Sequence, residues 1–138
     1  VDFCEQNIFD LISNINASEV DELEKVKRII ILLVSFSEKN PGLARLLTRE
    51  AFSVEETSLD ERIGQMMAKI ELQIKQNLQK YEQVTKRKLA LPTASAANLL
   101  LASSEGVIQQ FVRSGFKDSP SKRINDQSEF LISSLKLS

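Results

Sequence analysis

The sequence predicts an all-helical protein, and three observations carry that expectation. Only four glycines and three prolines interrupt 138 residues. No long window alternates apolar and polar side chains, as a half-buried strand would. Apolar residues instead recur at steps of three and four, the spacing that gathers side chains on one face of a helix. About six helical segments can be marked out on this basis.

The first, about 2–16, places Phe3, Asn7, Ile8, Leu11, Ile12 and Ile15 at helical spacing. Its start has no capping residue, as in a helix entered partway along. In the stretch that follows, Ser18 can serve as N-cap with Asp21 three residues on, close to a capping box. The second segment, about 19–38, carries Leu23, Val26, Ile30, Leu33 and Val34 on one face, and Ile29, Ile31 and Leu32 widen it. A helix apolar nearly all round is either buried or makes an additional contact. Asn40-Pro41-Gly42 then restarts the chain. Asn40 offers a capping oxygen, and Pro41 suits the first helical position, where an N–H would be unpaired anyway. Leu43, Leu46, Leu47, Ala51 and Phe52 give a short third helix, about 41–53.

The fourth segment, about 56–88, is the longest, with Leu59, Ile63, Met66, Ile70, Ile74, Leu78 and Tyr81 in register and Met67 alongside. It closes on Lys86-Arg87-Lys88, positive charge that the negative end of a helix dipole favours. Leu91-Pro92 breaks the pattern, and Thr93 can cap a fifth helix, about 94–115. Small residues fill its middle, among them Ala96, Ala97, Ala102, Ser103, Ser104 and Gly106. Leu99, Leu100, Leu101, Val107, Ile108, Phe111 and Val112 flank them, and Gly115 suits the C-terminal cap. A polar loop with Pro120 leads to a last helix, about 125–137, offering Phe130, Leu131, Leu135 and Leu137. Small residues let another helix approach closely. The last two helices therefore either close the chain's own core or pack against a second copy as a four-helix bundle.

The composition, 42% apolar and 27% charged, suits one domain with an ordinary core. A net charge of −1, with both signs scattered, argues against a nucleic-acid grip by this chain alone. The longest apolar run, Ile29 to Val34, falls far short of the ~20 residues a membrane span needs. The first residues, with Asp2, Glu5 and no basic start, do not read as a signal peptide, and the chain opens on Val1 as a fragment would. Cys4 is the single cysteine, so no internal disulfide can form, and an inert thiol is expected. There is no histidine, which removes His-dependent triads and His–metal sites, and no glycine-rich phosphate loop. The pairs Glu55-Glu56 and Asp60-Glu61 lie where a helix begins, so dipole complementation is favoured over acid–base work. The chain reads as a non-enzyme without a cofactor or metal. Three features keep two readings each. Met66 and Met67 fill a core or line a ligand pocket. Lys86-Arg87-Lys88 is a solvated helix end or a phosphate contact. Glu38-Lys39-Asn40 is an ordinary terminus or an exposed recognition corner.

The run Ile29 to Thr48, IIILLVSFSEKNPGLARLLT, resembles the regulatory domain of TetR-type proteins, and within them the SlmA-like nucleoid-occlusion factors. So does Glu105-Gly106 followed by Phe111 to Lys117, FVRSGFK. The likeness extends from Phe3 to about Thr48, weakens through the long helix and 84–98, and returns to the end. It implies an all-α homodimer in which residues 1–138 form the regulatory and dimerisation body. The three-helix helix-turn-helix DNA reader would lie before this chain. It implies a four-helix dimer bundle built from Leu99, Leu100, Ser103, Val107, Phe111, Phe130 and Leu131. It further implies a cytoplasmic, nucleoid-associated factor that binds chromosomal DNA and FtsZ and blocks Z-ring assembly over the nucleoid. The FtsZ C-terminal tail would be held by positions that match Phe3, Leu32, Ser35, Lys39 and Asn40. Ser35 and Ser37 stand where glycines are usual in that family. The alternative within the same class is a ligand-responsive repressor, its effector in a pocket of about a few hundred Å3 lined by residues such as Met66, Met67, Ile70 and Phe111.

Overall fold

A computed structural model describes residues 2–48 and 57–137. They form six helices: α1 (Asp2–Ala17), α2 (Glu22–Lys39), α3 (Pro41–Leu47), α4 (Thr57–Thr85), α5 (Thr93–Arg113) and α6 (Ser121–Leu135). The expected all-α class and element order hold. Ala51, Phe52, Glu55 and Glu56, which extend the third helix and open the fourth in the sequence reading, lie outside the described residues.

α2 is the hub. It packs against α1, α3, α4, α5 and α6. That position explains its breadth of apolar surface: Leu23, Val26, Ile29, Ile30, Leu33 and Val34 are all buried, and Ile31 and Leu32 are half-buried against the same core. α4 supplies Ile63, Met66, Ile70, Ile74 and Leu78, while α5 supplies Ala96, Ala97, Leu100, Leu101, Ile108 and Phe111. Three of the small residues of α5 are thus used inside the chain: Ala96, Ala97 and Ser104 are buried, and the two alanines let neighbouring helices approach closely.

Polar bonds set the directions. Glu5 pairs with Lys69 and Asn16 bonds Asn77, so α1 runs alongside α4 in the same sense. Glu22, at the start of α2, reaches Lys80 near the end of α4. Lys27 meets Glu129 at 2.6 Å, and Glu38 meets Ser119 and Ser121, so α2 and α6 run antiparallel. The connector from α4 to α5 is clipped to the end of α6 by Ala90 N–H donating to the Leu135 carbonyl at 2.8 Å.

Several boundaries differ from expectation for local reasons. α2 begins at Glu22, not 19, because Asp21 is the cap: its carboxylate accepts the Glu24 N–H at 2.9 Å. Ser18 instead turns its hydroxyl back to the Ile15 carbonyl and closes α1. α4 ends at Thr85, three residues early. The Thr85 hydroxyl bonds the Tyr81 carbonyl and accepts the Arg87 N–H, Lys86 takes a left-handed φ of 61°, and Leu89 N–H goes to Glu82. Lys86, Arg87 and Lys88 therefore lie past the helix end rather than in its last turn. Thr93 is the first helical residue of α5 and makes no capping bond; Pro92 holds the cap position. α6 starts at Ser121, four residues before the periodicity suggests. Its first turn puts only Ile124 inward, so little apolar signal marks it.

Gly115 does what its type allows. At φ 71° it closes α5, with its own N–H on the Val112 carbonyl and the Phe116 N–H on the Phe111 carbonyl. This double bond is the Schellman pattern, and the apolar contact that accompanies such caps is present as an edge-to-face pair, Phe111 and Phe116, 5.3 Å apart.

Candidate functional site

The corner where α2 gives way to α3 carries Lys39 and Asn40 of the set expected to hold a partner, with Ser35 one turn and Leu32 two turns back along α2. Pro41 sits at the start of α3, as expected. Asn40 does not cap it: the side-chain amide turns back and donates to the Phe36 carbonyl at 2.7 Å, sealing the end of α2. Lys39 is exposed, Ser35 is half-buried, and Leu32 is half-buried against the core. Ser37 is fully buried, with its hydroxyl bonded to the Leu33 carbonyl at 2.8 Å, so this buried polar group has its partner. Phe3 stands 77% exposed in the first turn of α1. A short turn joins α1 to α2, and about 21 Å of helical rise separates that turn from Phe3 on one side and from Phe36 on the other. By helical rise alone Phe3 lies as far from that turn as Phe36 does, while Leu32, Ser35 and Lys39 fall at helical spacing on α2 with Asn40 at its end.

Beside them lie contacts that periodicity missed. The Glu38 carboxylate accepts the hydroxyls of Ser119 and Ser121, the latter at 2.8 Å. The Arg45 guanidinium of α3 lies 5.1 Å over the Phe116 ring. Both bridge about 70 to 80 residues of sequence, which spacing rules cannot see. One signal was legible for Glu38: a carboxylate in a helix's last turn opposes the dipole, and such a residue needs compensation elsewhere.

The second surface is the outer face of α5 and α6. Ser103, Gly106, Val107, Gln110, Phe130 and Leu131 line a cleft of about 490 Å3, together with Asp126 and Gln127. Phe130 is 71% exposed and Leu99 is exposed beside this face. Leu100 and Phe111 correct the expected set. At 1% and 4% exposure they belong to the chain's own core, because helical spacing puts them on one stripe of α5 with the buried Ala97, Ser104 and Ile108. Leu99, Ser103, Val107, Phe130 and Leu131 remain available to a neighbour.

Met66, Ile70 and Phe111 are core residues, with Met67 at the core's margin, and the cleft just described lies away from the methionines. Among the described residues no group of three or more Cys, Asp or Glu side chains is placed to hold a metal ion, and no helix is long and apolar enough to cross a membrane. Two electrostatic features stand out. Hydrogen bonding to Lys27, helped by its charge, holds the Glu129 carboxyl below the usual carboxylate range, and the same bond raises the Lys27 ammonium. Partial burial, then the Glu71 charge, pushes the Glu105 carboxyl up.

A hub helix ringed by five others, a Pro-initiated short helix crossing beneath it and an open final pair are the build of a tetracycline-repressor-like regulatory domain. Comparison with known proteins agrees. The SlmA-like family described as "Tetracyclin repressor-like, C-terminal domain" matches residues 20–136. The nucleoid occlusion factor SlmA of Shewanella halifaxensis is 39% identical over 131 residues, covering 95% of this chain and 66% of that protein. Its counterpart in Colwellia psychrerythraea is 36% identical over 132 residues. The chain belongs to the SlmA-like family of these domains, and it spans about two thirds of the length of the curated relatives it matches, just under that share for the Shewanella protein. A crystal structure of the transcriptional regulator FadR from Bacillus subtilis, in complex with stearoyl-CoA, has the same fold. Its TM-score is 0.75 at 15% identity, over 96% of this chain and 73% of that one.

Proposed function

We propose that this chain is the partner-binding and dimerisation body of a DNA-associated cell-division inhibitor acting by nucleoid occlusion. The observation that carries the reading is the identity with named occlusion factors, 39% over 95% of the chain. On this reading the body is non-catalytic and works in the cytoplasm at the nucleoid. DNA is read by an N-terminal helix-turn-helix domain, and the outer α5–α6 face joins two copies through Leu99, Ser103, Val107, Phe130 and Leu131. The corner of Phe3, Leu32, Ser35, Lys39 and Asn40 takes the FtsZ C-terminal tail, a short segment of acidic and apolar residues. Phe3 and Leu32 supply apolar contact and Lys39 the opposite charge. The filled interior around Met66 and Ile70 supports this reading over a repressor with an internal effector.

The test is a titration of a fluorescent FtsZ tail peptide with this chain and with its Lys39→Glu and Leu32→Glu variants. Saturable binding, lost in both while the helical content stays, is the expected result. Lys39 is exposed, so its variant folds even if Leu32→Glu disturbs the core. Undiminished binding by Lys39→Glu rejects the corner, and no binding by the parent chain rejects the tail as its partner.

A further inference from the structure

We propose that Glu38 is a positioning residue for the partner corner. Two hydroxyls from a distant turn hold its carboxylate and thereby set the last turn of α2 and the side chain of Lys39. The inference rests on the reading of that corner given above.

The argument begins with an anomaly. α2 ends in Glu38-Lys39-Asn40, and a carboxylate there faces the negative end of its own helix dipole. α6 has the complementary lack: no acidic residue in its first turn and no side-chain bond at its N-cap. The fold brings the two ends together. Glu38 Oε1 accepts from Ser119, Glu38 Oε2 accepts from Ser121 at 2.8 Å, and the two hydroxyls are 3.2 Å apart on either side of the buried Pro120. The carboxylate thus lies at the positive end of α6 and is engaged through both oxygens.

The turn that supplies the hydroxyls is itself braced. The Ser114 hydroxyl oxygen accepts the N–H groups of Lys117 and Asp118. Asp118 takes a two-pronged bond from Arg123 at 2.8 and 2.9 Å. Phe116 lies between Phe111 and the Arg45 guanidinium of α3. On the other side, Lys39 follows Glu38 directly, and the Asn40 amide is tied to Phe36. A rigid block therefore grips α2 through one carboxylate, one residue before the exposed cation of the corner. Neither serine belongs to the corner. The direct link from these serines to the corner is the Glu38 carboxylate.

The experiment uses the same tail peptide and five proteins: the chain, Ser119→Ala/Ser121→Ala, Ser119→Thr/Ser121→Thr, and Lys39→Ala placed in each of the first two backgrounds. The double alanine variant should bind about tenfold more weakly, and the double threonine variant, which keeps both hydroxyls, within about twofold of the parent. The loss caused by Lys39→Ala should shrink in the alanine background, a coupling that general weakening of the fold would not produce. Amide exchange at Asn40, whose N–H bonds the Ser37 carbonyl, should quicken in the alanine variant without any peptide. If the alanine variant unfolds, Glu38→Gln, which keeps the shape and removes the charge, enters the same cycle. Tight peptide binding by a folded alanine variant, or an undiminished Lys39 effect, overturns the positioning role and leaves the corner standing. Absence of peptide binding by the parent chain overturns both.

Discussion

Lys25 shows how much one side chain can depend on one neighbour. It is only 6% exposed, in the first turns of α2, and its ammonium is 3.1 Å from Glu22, which also reaches Lys80 on α4 at 3.4 Å. Removing one partner of a buried pair leaves an uncompensated charge, which costs far more than the pair contributes. Glu22→Gln should therefore destabilise the chain by about 3 kcal/mol in urea unfolding, whereas Lys25→Met, which leaves Glu22 its contact with Lys80, should cost clearly less. Equal losses would mean that Lys25 reaches water without Glu22. Glu105 gives a pH dependence at the same scale. Its carboxyl is raised by partial burial and by Glu71, so the folded state holds a proton that the unfolded state releases. Its stabilising contribution is complete below the ordinary carboxylate pKa of 4.5 and is lost as pH rises through the higher folded value. Glu105→Gln should remove that decline from the stability–pH curve, and an unchanged slope would contradict the assignment.

At the scale of the element, the caps decide where helices start and stop. Asp21 and Ser18 are both cap residues by type, and one sequence pattern fits either. Only Asp21 bonds an N-terminal amide of α2; Ser18 bonds a carbonyl of α1. Asp21→Ala should cost about 1 kcal/mol of stability, the usual loss of an N-cap, and Ser18→Ala clearly less, both read by chemical denaturation. Reversal of that order would restore the earlier start of α2. The same ambiguity ran through Asn40, whose amide serves the helix before it rather than the helix after. Asn, Ser and Thr can donate or accept, so composition marks a boundary without saying which side of it is served.

At the scale of the molecule, α2 runs through the centre and α5 and α6 leave one apolar face open. Phe130 stands far out of the surface over a cleft of about 490 Å3. An exposed large aromatic beside Leu99, Val107 and Leu131 is the kind of surface that a second copy covers. Phe130→Glu should give a folded monomer by sedimentation velocity, with circular dichroism unchanged from the parent. An unchanged oligomeric state in the folded variant would reject this face as the proposed dimer interface.

Read by itself, the sequence determined the helical class, the order of six helices and most of the core. Ile8, Ile12, Val26, Ile30, Ile70, Leu78 and Ile108 are buried where period and side-chain type put them. It also carried the two motifs through which the family can be recognised. Only tertiary structure decided which apolar positions face inward at all: Leu100 and Phe111 read like Leu99 and Phe130, yet the first two are core and the last two are surface. Tertiary structure also made Glu38, Ser119 and Ser121 one feature, and Arg45, Phe116 and Phe111 another. The physical reason is range. Helical period and capping act over three or four residues along one element, while those contacts join ends of the chain brought together only when the hub helix is surrounded.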